Sequence, residues 1–132
     1  HNCEFRKVGA GKYAYDVLIE KTNPEYVNFE FDSCWATEVG VDTIALMERL
    51  GERMKLYHIN DRGTRMSGPG GQILKSDSME LGYGNMNLTK MVDIAQKNGV
   101  DAVILESHKN WVDKSTVKSF QLNAKFMNEY VV

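Results

Sequence analysis

The sequence has little of what marks the special classes of protein. It contains two cysteines, Cys3 and Cys34, among 132 residues, too few for a disulfide framework. Its net charge of −2 removes the electrostatic reason to expect a nucleic acid or an anionic membrane as a partner. Its longest apolar runs are far too short to span a bilayer, and no charged-then-apolar leader opens it. We therefore expect one globular unit, residues 1–132, in the reducing cytoplasm.

Apolar runs and amphipathic stretches alternate along the chain. Residues 27–31, Met54–Ile59 and Ala102–Leu105 are short β-branched, aromatic or aliphatic runs that predict strands. Helices are predicted over residues 13–20, 42–50, Leu88–Asn98 and 115–130. Strands that are apolar on both faces and separated by helices favour a parallel sheet with covered faces.

Some of these elements carry finer predictions. Asp42 is a predicted N-cap, while Gly51 and Gly99 mark helix ends. The last helix is predicted to pack through Val117, Phe120, Ala124 and Met127. The long Gly- and Ser-rich connection over residues 60–87 is typical of a lid, and we expect residues 64–77 to be mobile.

Each predicted strand ends on a polar residue that an apolar strand does not need. These residues are Asp32, His58 and Glu106, and the carboxyl edge of a parallel sheet is where α/β proteins place their chemistry. Carboxylates with one imidazole suit a divalent metal (Mn, Mg, Co, Zn or Fe) that polarises a carbonyl. A single Asp or His in such a place is more often a cap or a local hydrogen-bonding residue, but three in register favour a site.

Five segments resemble one family, in the right order and over nearly the whole chain. They are His1-Asn2-Cys3-Glu4-Phe5, residues 29–35 with 40–42, residues 56–62, the Glu80-Leu81-Gly82-Tyr83-Gly84 stretch, and residues 102–107. Together they are similar to the sugar phosphate isomerase/epimerase proteins of the xylose isomerase-like superfamily. The resemblance implies the C-terminal half of a (β/α)8 TIM barrel, from the end of strand 5 through helix 8. The start on His1, before any complete element, also suggests a piece of a longer protein.

The resemblance implies a metal held by two glutamates, an aspartate and a histidine. Asp32, His58 and Glu106 match three of these ligands. The fourth position lines up with His1, which departs from the family pattern, so either histidine replaces that ligand or the alignment is shifted. Cys3 stands where relatives have a second histidine, and both cysteines are expected to be buried without a function.

The resemblance also implies residues that contact substrate. Trp35 is expected to form an aromatic wall against a sugar, with core packing as the alternative. Asp61 and Arg62 are expected to hold a substrate hydroxyl or phosphate, with surface solvation as the alternative, and Arg65 is a weaker candidate. His108 is expected to be a solvated loop residue, whereas Gly82 and Gly84 are expected to let the backbone pass close to the rim.

The expected function is aldose–ketose isomerisation or epimerisation of a sugar or sugar acid through an enediolate. Glu106 is the expected catalytic residue, moving a proton next to the carbonyl. A dehydratase on the same scaffold, an endonuclease on abasic DNA (disfavoured by the weak basic character) and a non-catalytic half-barrel are alternatives. A half-barrel leaves strand edges and its inner face open, so we expect residues such as Phe29, Phe31, Leu56 and Val103 to be partly exposed in an isolated chain. We therefore expect the chain to pair with its missing N-terminal half or with a second copy.

Overall fold

The computed structural model describes residues 1–9, 11–64 and 76–132. Its strands are β1 (Lys7–Gly9), β2 (Lys12–Tyr13), β3 (Phe29–Asp32), β4 (Met54–Ile59), β5 (Asp61–Gly63), β6 (Asp77–Met79) and β7 (Ala102–Leu105). Its α-helices are α1 (Ala14–Lys21), α2 (Ser33–Glu38), α3 (Thr43–Leu50), α4 (Leu88–Asn98) and α5 (Thr116–Tyr130). Short 3₁₀ turns cover Asn2–Phe5, Gly51–Arg53 and Val112–Lys114. The three predicted strands and four predicted helices are all present, and α2 is an addition.

A parallel three-stranded sheet lies at the centre, in the order β3-β4-β7. Asp32 is the register partner of His58, and His58 is in turn the partner of Ile104. Within the described residues, β3 and β7 each pair only with β4, so both edges of this sheet are open. Two antiparallel hairpins, β1–β2 and β5–β6, lie outside it.

The two faces of this sheet have different surroundings. Because side chains alternate along a strand, Phe31, Tyr57 and Ile59 share one face, and all three are buried in the core with residues of α3 and α4. The other face carries the polar residues of the strand ends, and Ile104 on it is 37% exposed. A half-barrel leaves what would be the barrel interior uncovered in this way.

This arrangement corrects one expectation about an isolated chain. Of the four sheet residues expected to be partly exposed, Phe31 is only 1% exposed because it faces the helices. Phe29, Leu56 and Val103 are partly exposed as expected, and Ala102 and Ile104 on the open face of β7 are exposed as well.

Helix α5 docks through polar side chains, which also differs from expectation. Val117 and Phe120, predicted to face inward, are 64% and 62% exposed. The buried residues are Ser119, whose Oγ donates to Glu80 Oε1 (2.6 Å), and Asn123, whose Oδ1 accepts from Leu81 N (2.7 Å). Met127, also predicted to face inward, does pack against the core, so the apolar pattern was wrong only for the first part of α5, which is held to residues 80–81 by these hydrogen bonds.

The long connection after β4 is partly ordered into the β5–β6 hairpin, which its composition did not predict. The mobility expected of residues 64–77 falls almost wholly on residues 65–75, which lie outside the described residues, as does Arg65. None of the helices in the described part of the chain has the length and apolar character needed to cross a membrane.

Candidate metal centre

Three neighbouring strands deliver Asp32, His58 and Glu106 to one place. Asp32 ends β3, His58 lies near the end of β4, and Glu106 follows β7, where its backbone N donates to Ile59 O (3.0 Å) and extends the pairing by one step. One ligand atom from each of these side chains lies within 4.8 Å of the others. The structure thus brings together the three residues predicted from the strand ends.

In Asp32 and in Glu106, one carboxylate oxygen is held by a neighbouring residue. The other oxygen is directed at the point where the Asp32, His58 and Glu106 side chains meet. Asp32 Oδ1 accepts from Cys34 N (2.9 Å) and Asn60 Nδ2 (3.0 Å), while Asp32 Oδ2 lies 3.8 Å from His58 Nδ1. Glu106 Oε1 lies 3.1 Å from His108 Nε2. Glu106 Oε2 is shielded from solvent and has no hydrogen-bond partner, although His58 Nδ1 is 3.2 Å away.

The closeness of the two carboxylates affects their protonation. A hydrogen bond from protonated Glu106 to Asp32, then burial, and then the negative charge of Asp32 together raise the pKa of Glu106 above its ordinary value. The neighbouring histidines His58 and His108 act in the opposite direction. Two carboxylates that disfavour each other's charge are stabilised by a cation between them.

The residues therefore fit a divalent cation. Two carboxylate oxygens and one imidazole nitrogen match the ligand preferences of Mn²⁺, Co²⁺ and Zn²⁺, and the carboxylates alone suit Mg²⁺. The unpartnered Glu106 Oε2 is a buried acceptor that such an ion would satisfy.

His1 and His108 flank the indole of Trp35 beside this group. The His1 ring stacks on Trp35 at 3.8 Å between centroids, and the His108 ring lies 5.8 Å from Trp35 on a tilted plane. His1, Trp35 and the three convergent residues line a cleft of about 250 Å³. His1 is thus at the rim of the cleft, but the convergent group found among the described residues does not include it.

Arg62 lies in a neighbouring cleft of about 340 Å³, which Trp35 and His108 also line. Its guanidinium donates to Glu38 Oε1 (3.1 Å), to Ser76 Oγ (2.9 Å) and to Cys34 Sγ (3.4 Å). Burial raises the pKa of the Cys34 thiol, and the hydrogen bond from Arg62 partly offsets this. Cys34 is buried as expected, whereas Cys3 is exposed.

Asp61 has a different position from that expected of a substrate contact. It is 1% exposed, and its carboxylate accepts from the backbone N–H groups of Arg62, Gly82, Gly84 and Met86. A Cβ at Gly84 would overlap the Asp61 carboxylate, so the predicted close backbone approach is present. Three of the four hydrogen bonds that Asp61 accepts fix residues 82–86, and the fourth comes from the neighbouring Arg62 N.

Sequence reasoning missed three residues that contact the group. Glu30 Oε1 lies 2.9 Å from His58 Nε2, Asn60 donates to Asp32, and His108, expected to be solvated, contacts Glu106. Glu30 could have been found from the sequence, because it precedes Asp32 by two residues and therefore lies on the same face of the strand.

Parallel strands alternating with helices, with a candidate metal centre at their carboxyl edge, define part of a (β/α)8 barrel. No family model and no curated protein sequence matches the chain. Two solved structures, both described as sugar phosphate isomerase/epimerases from Parabacteroides distasonis ATCC 8503, are similar to it with TM-scores of 0.72 and 0.75 and 23% sequence identity.

The two matches cover 96% and 98% of this chain but only 42% and 43% of the solved chains. The chain therefore spans less than half the length of these structures. It has the fold of half of a TIM barrel, which confirms the expected fold class, and the coverage is consistent with a C-terminal half.

Proposed function

We propose that this chain is the metal-binding half of a sugar isomerase or epimerase, acting on a sugar, sugar acid or sugar phosphate. The observation that carries the proposal is the convergence of Asp32, His58 and Glu106 on the open face of the sheet. One of the converging atoms, Glu106 Oε2, is a buried acceptor without a hydrogen-bond donor. The similarity of the fold to sugar phosphate isomerase/epimerases supports the reaction class.

In this proposal Asp32, His58 and Glu106 hold a divalent cation. When bound, the cation supplies Lewis-acid polarisation of a substrate carbonyl and its neighbouring hydroxyl. Asn60 and Cys34 N fix Asp32 through Oδ1, so that Oδ2 remains directed at the group. The carboxylate is thereby oriented before any ligand binds.

Glu106 is the proposed proton-transfer residue. Its raised pKa makes its ionised form a stronger base, suited to taking a proton from the carbon next to a carbonyl. Oε2 is directed at the proposed cation, so Oε1, which lies 3.1 Å from His108 Nε2, is the oxygen left for proton transfer. Returning the proton to the neighbouring carbon, while the hydroxyl proton passes to the former carbonyl oxygen, gives isomerisation. Delivery of a proton from a second donor to the opposite face of the same carbon gives epimerisation.

Trp35 and Arg62 are the proposed substrate contacts. The indole lines both clefts and offers an apolar face to the C–H groups of a sugar ring. Arg62 is already paired with Glu38, so we assign it a hydroxyl rather than a second full negative charge. Asp61 and His1 are left out of this set because of the positions described above.

Manganese binding tests the proposal directly. Calorimetric titration of the purified chain with Mn²⁺ should show one site, which Asp32→Asn, His58→Ala and Glu106→Gln each weaken strongly. Asp93→Asn, an exposed carboxylate on α4, is the matched control and should bind as the wild type does. A wild-type chain without Mn²⁺ binding, or variants that bind equally well, would contradict the site.

A second measurement addresses the reaction. With Mn²⁺ and a panel of ketoses and ketose phosphates in D₂O, deuterium should enter at the carbon next to the carbonyl, and Glu106→Gln should remove that exchange. Exchange that survives Glu106→Gln would assign the proton transfer to another residue.

A further inference from the structure

Glu30 contacts the side of His58 that faces away from the convergent oxygens. Its Oε1 lies 2.9 Å from Nε2, whereas Nδ1 faces Asp32 Oδ2 (3.8 Å) and Glu106 Oε2 (3.2 Å). An ionised carboxylate can only accept a hydrogen bond. In the neutral imidazole the proton therefore resides on Nε2, and the lone pair of Nδ1 points toward the oxygens.

The two sides of the His58 ring differ in what they face. Glu30 Oε1 is the nearest carboxylate oxygen to either ring nitrogen, at 2.9 Å from Nε2, whereas the buried Glu106 Oε2 on the Nδ1 side is 3.2 Å away and is one of the three proposed cation ligands.

We propose that Glu30 is a positioning residue, which fixes the tautomer and orientation of His58 so that Nδ1 is the nitrogen presented to a cation. This inference rests on the proposed cation site. Carboxylates that accept the far N–H of a ligating histidine orient the ring and increase its basicity as a ligand. Glu30 reaches His58 because it lies on the same strand face as Asp32, two residues earlier.

Substitutions at Glu30 can test the role without opening a gap in the core, because the Glu30 side chain is 48% exposed. Glu30→Leu removes the acceptor, whereas Glu30→Gln keeps an oxygen that can accept from Nε2. We expect Glu30→Leu to weaken Mn²⁺ binding about 10- to 100-fold, and Glu30→Gln to restore most of the affinity. Glu25→Leu, an exposed glutamate that precedes β3 and lies outside the site, is the control and should leave the affinity unchanged.

The tautomer itself can be read without any metal. Imidazole ¹⁵N spectra recorded at about pH 8.5 should show His58 protonated at Nε2 in the wild type. Glu30→Leu should give a mixture of tautomers, and Glu30→Gln should stay close to the wild type. A residue that merely stabilised the fold would not shift this signal.

The outcomes separate the two proposals. If Glu30→Leu binds Mn²⁺ as tightly as the wild type and keeps the same tautomer, Glu30 has no positioning role. If the wild type binds no Mn²⁺, the proposed cation site fails, and the metal-free spectra still decide whether Glu30 sets the tautomer of His58.

Discussion

Replacing Asp61 by asparagine changes one buried oxygen to an amide group with almost no change in shape. In the native structure Oδ1 accepts from the backbone N of Arg62 (2.7 Å) and Met86 (3.2 Å), and Oδ2 accepts from Gly82 (3.0 Å) and Gly84 (2.9 Å). Asparagine has only one acceptor oxygen. Whichever way its amide is turned, two backbone N–H groups face an NH₂ group.

The expected loss follows from those two hydrogen bonds. A hydrogen bond to a charged group contributes about 1.5–3 kcal/mol, so losing two costs about 3–6 kcal/mol. Burying a neutral amide instead of a carboxylate returns part of this, and we expect a net destabilisation of about 2–5 kcal/mol. That is a large fraction of the roughly 5–15 kcal/mol that stabilises a typical domain.

Urea unfolding followed by circular dichroism measures the effect. With a slope of about 2 kcal/mol per molar urea, the midpoint should fall by about 1–2.5 M. Asp93→Asn on the exposed face of α4 should change it little. Amide hydrogen exchange should accelerate most at residues 82 and 84 or at residues 62 and 86 in the Asp61 variant, depending on which way the amide is turned. A midpoint unchanged within error, or unchanged exchange at those amides, would refute the anchoring role of Asp61.

Three further predictions concern other parts of the chain. Exposed Cys3 should react with iodoacetamide rapidly and buried Cys34 slowly, so mass spectrometry should resolve two phases, and a single phase would contradict the burial of Cys34. Asn123→Ala should lower the free energy of unfolding by about 1–3 kcal/mol, because it leaves the Leu81 N–H unpaired. Phe120→Ser, on the exposed face of α5, should change the free energy of unfolding by less than about 0.5 kcal/mol. A larger loss for Phe120→Ser than for Asn123→Ala would indicate that Phe120 packs inward, as the sequence predicted. Light scattering should find the purified chain associated, because both edges of its parallel sheet are unpaired within the described residues; a well-folded monomer with a cooperative melt would argue against this.

The strands and most helices were predictable because their local signals agree with the tertiary fold. Asp42 caps α3 by accepting from Ala45 N, and Gly99 ends α4 in the left-handed conformation. The three convergent residues were predictable because consecutive parallel strands end at the same edge. The inward face of the first part of α5 was not, because polar Ser119 and Asn123 replace apolar packing there, whereas Met127 packs against the core as predicted.

The supporting contacts of the site were harder to predict. Glu30 and Asn60 act on His58 and Asp32 across strand boundaries, and no spacing along the chain indicates which side-chain atoms meet. Asp61 follows the same strand as His58 and was grouped with it for that reason. Its burial depends on the return of residues 82–86, which only the folded chain makes evident.

The register of β3, β4 and β7 has a consequence for how the chain finds its native alignment. Asp32 is opposite His58, and His58 is opposite Ile104, two residues before Glu106. A slip of one residue in any of these strands would turn its ligand to the helix-covered face. A chain with slipped strands could therefore offer at most two of the three ligands. Cation binding would then favour the native alignment over slipped ones during folding, in proportion to the affinity that the third ligand adds.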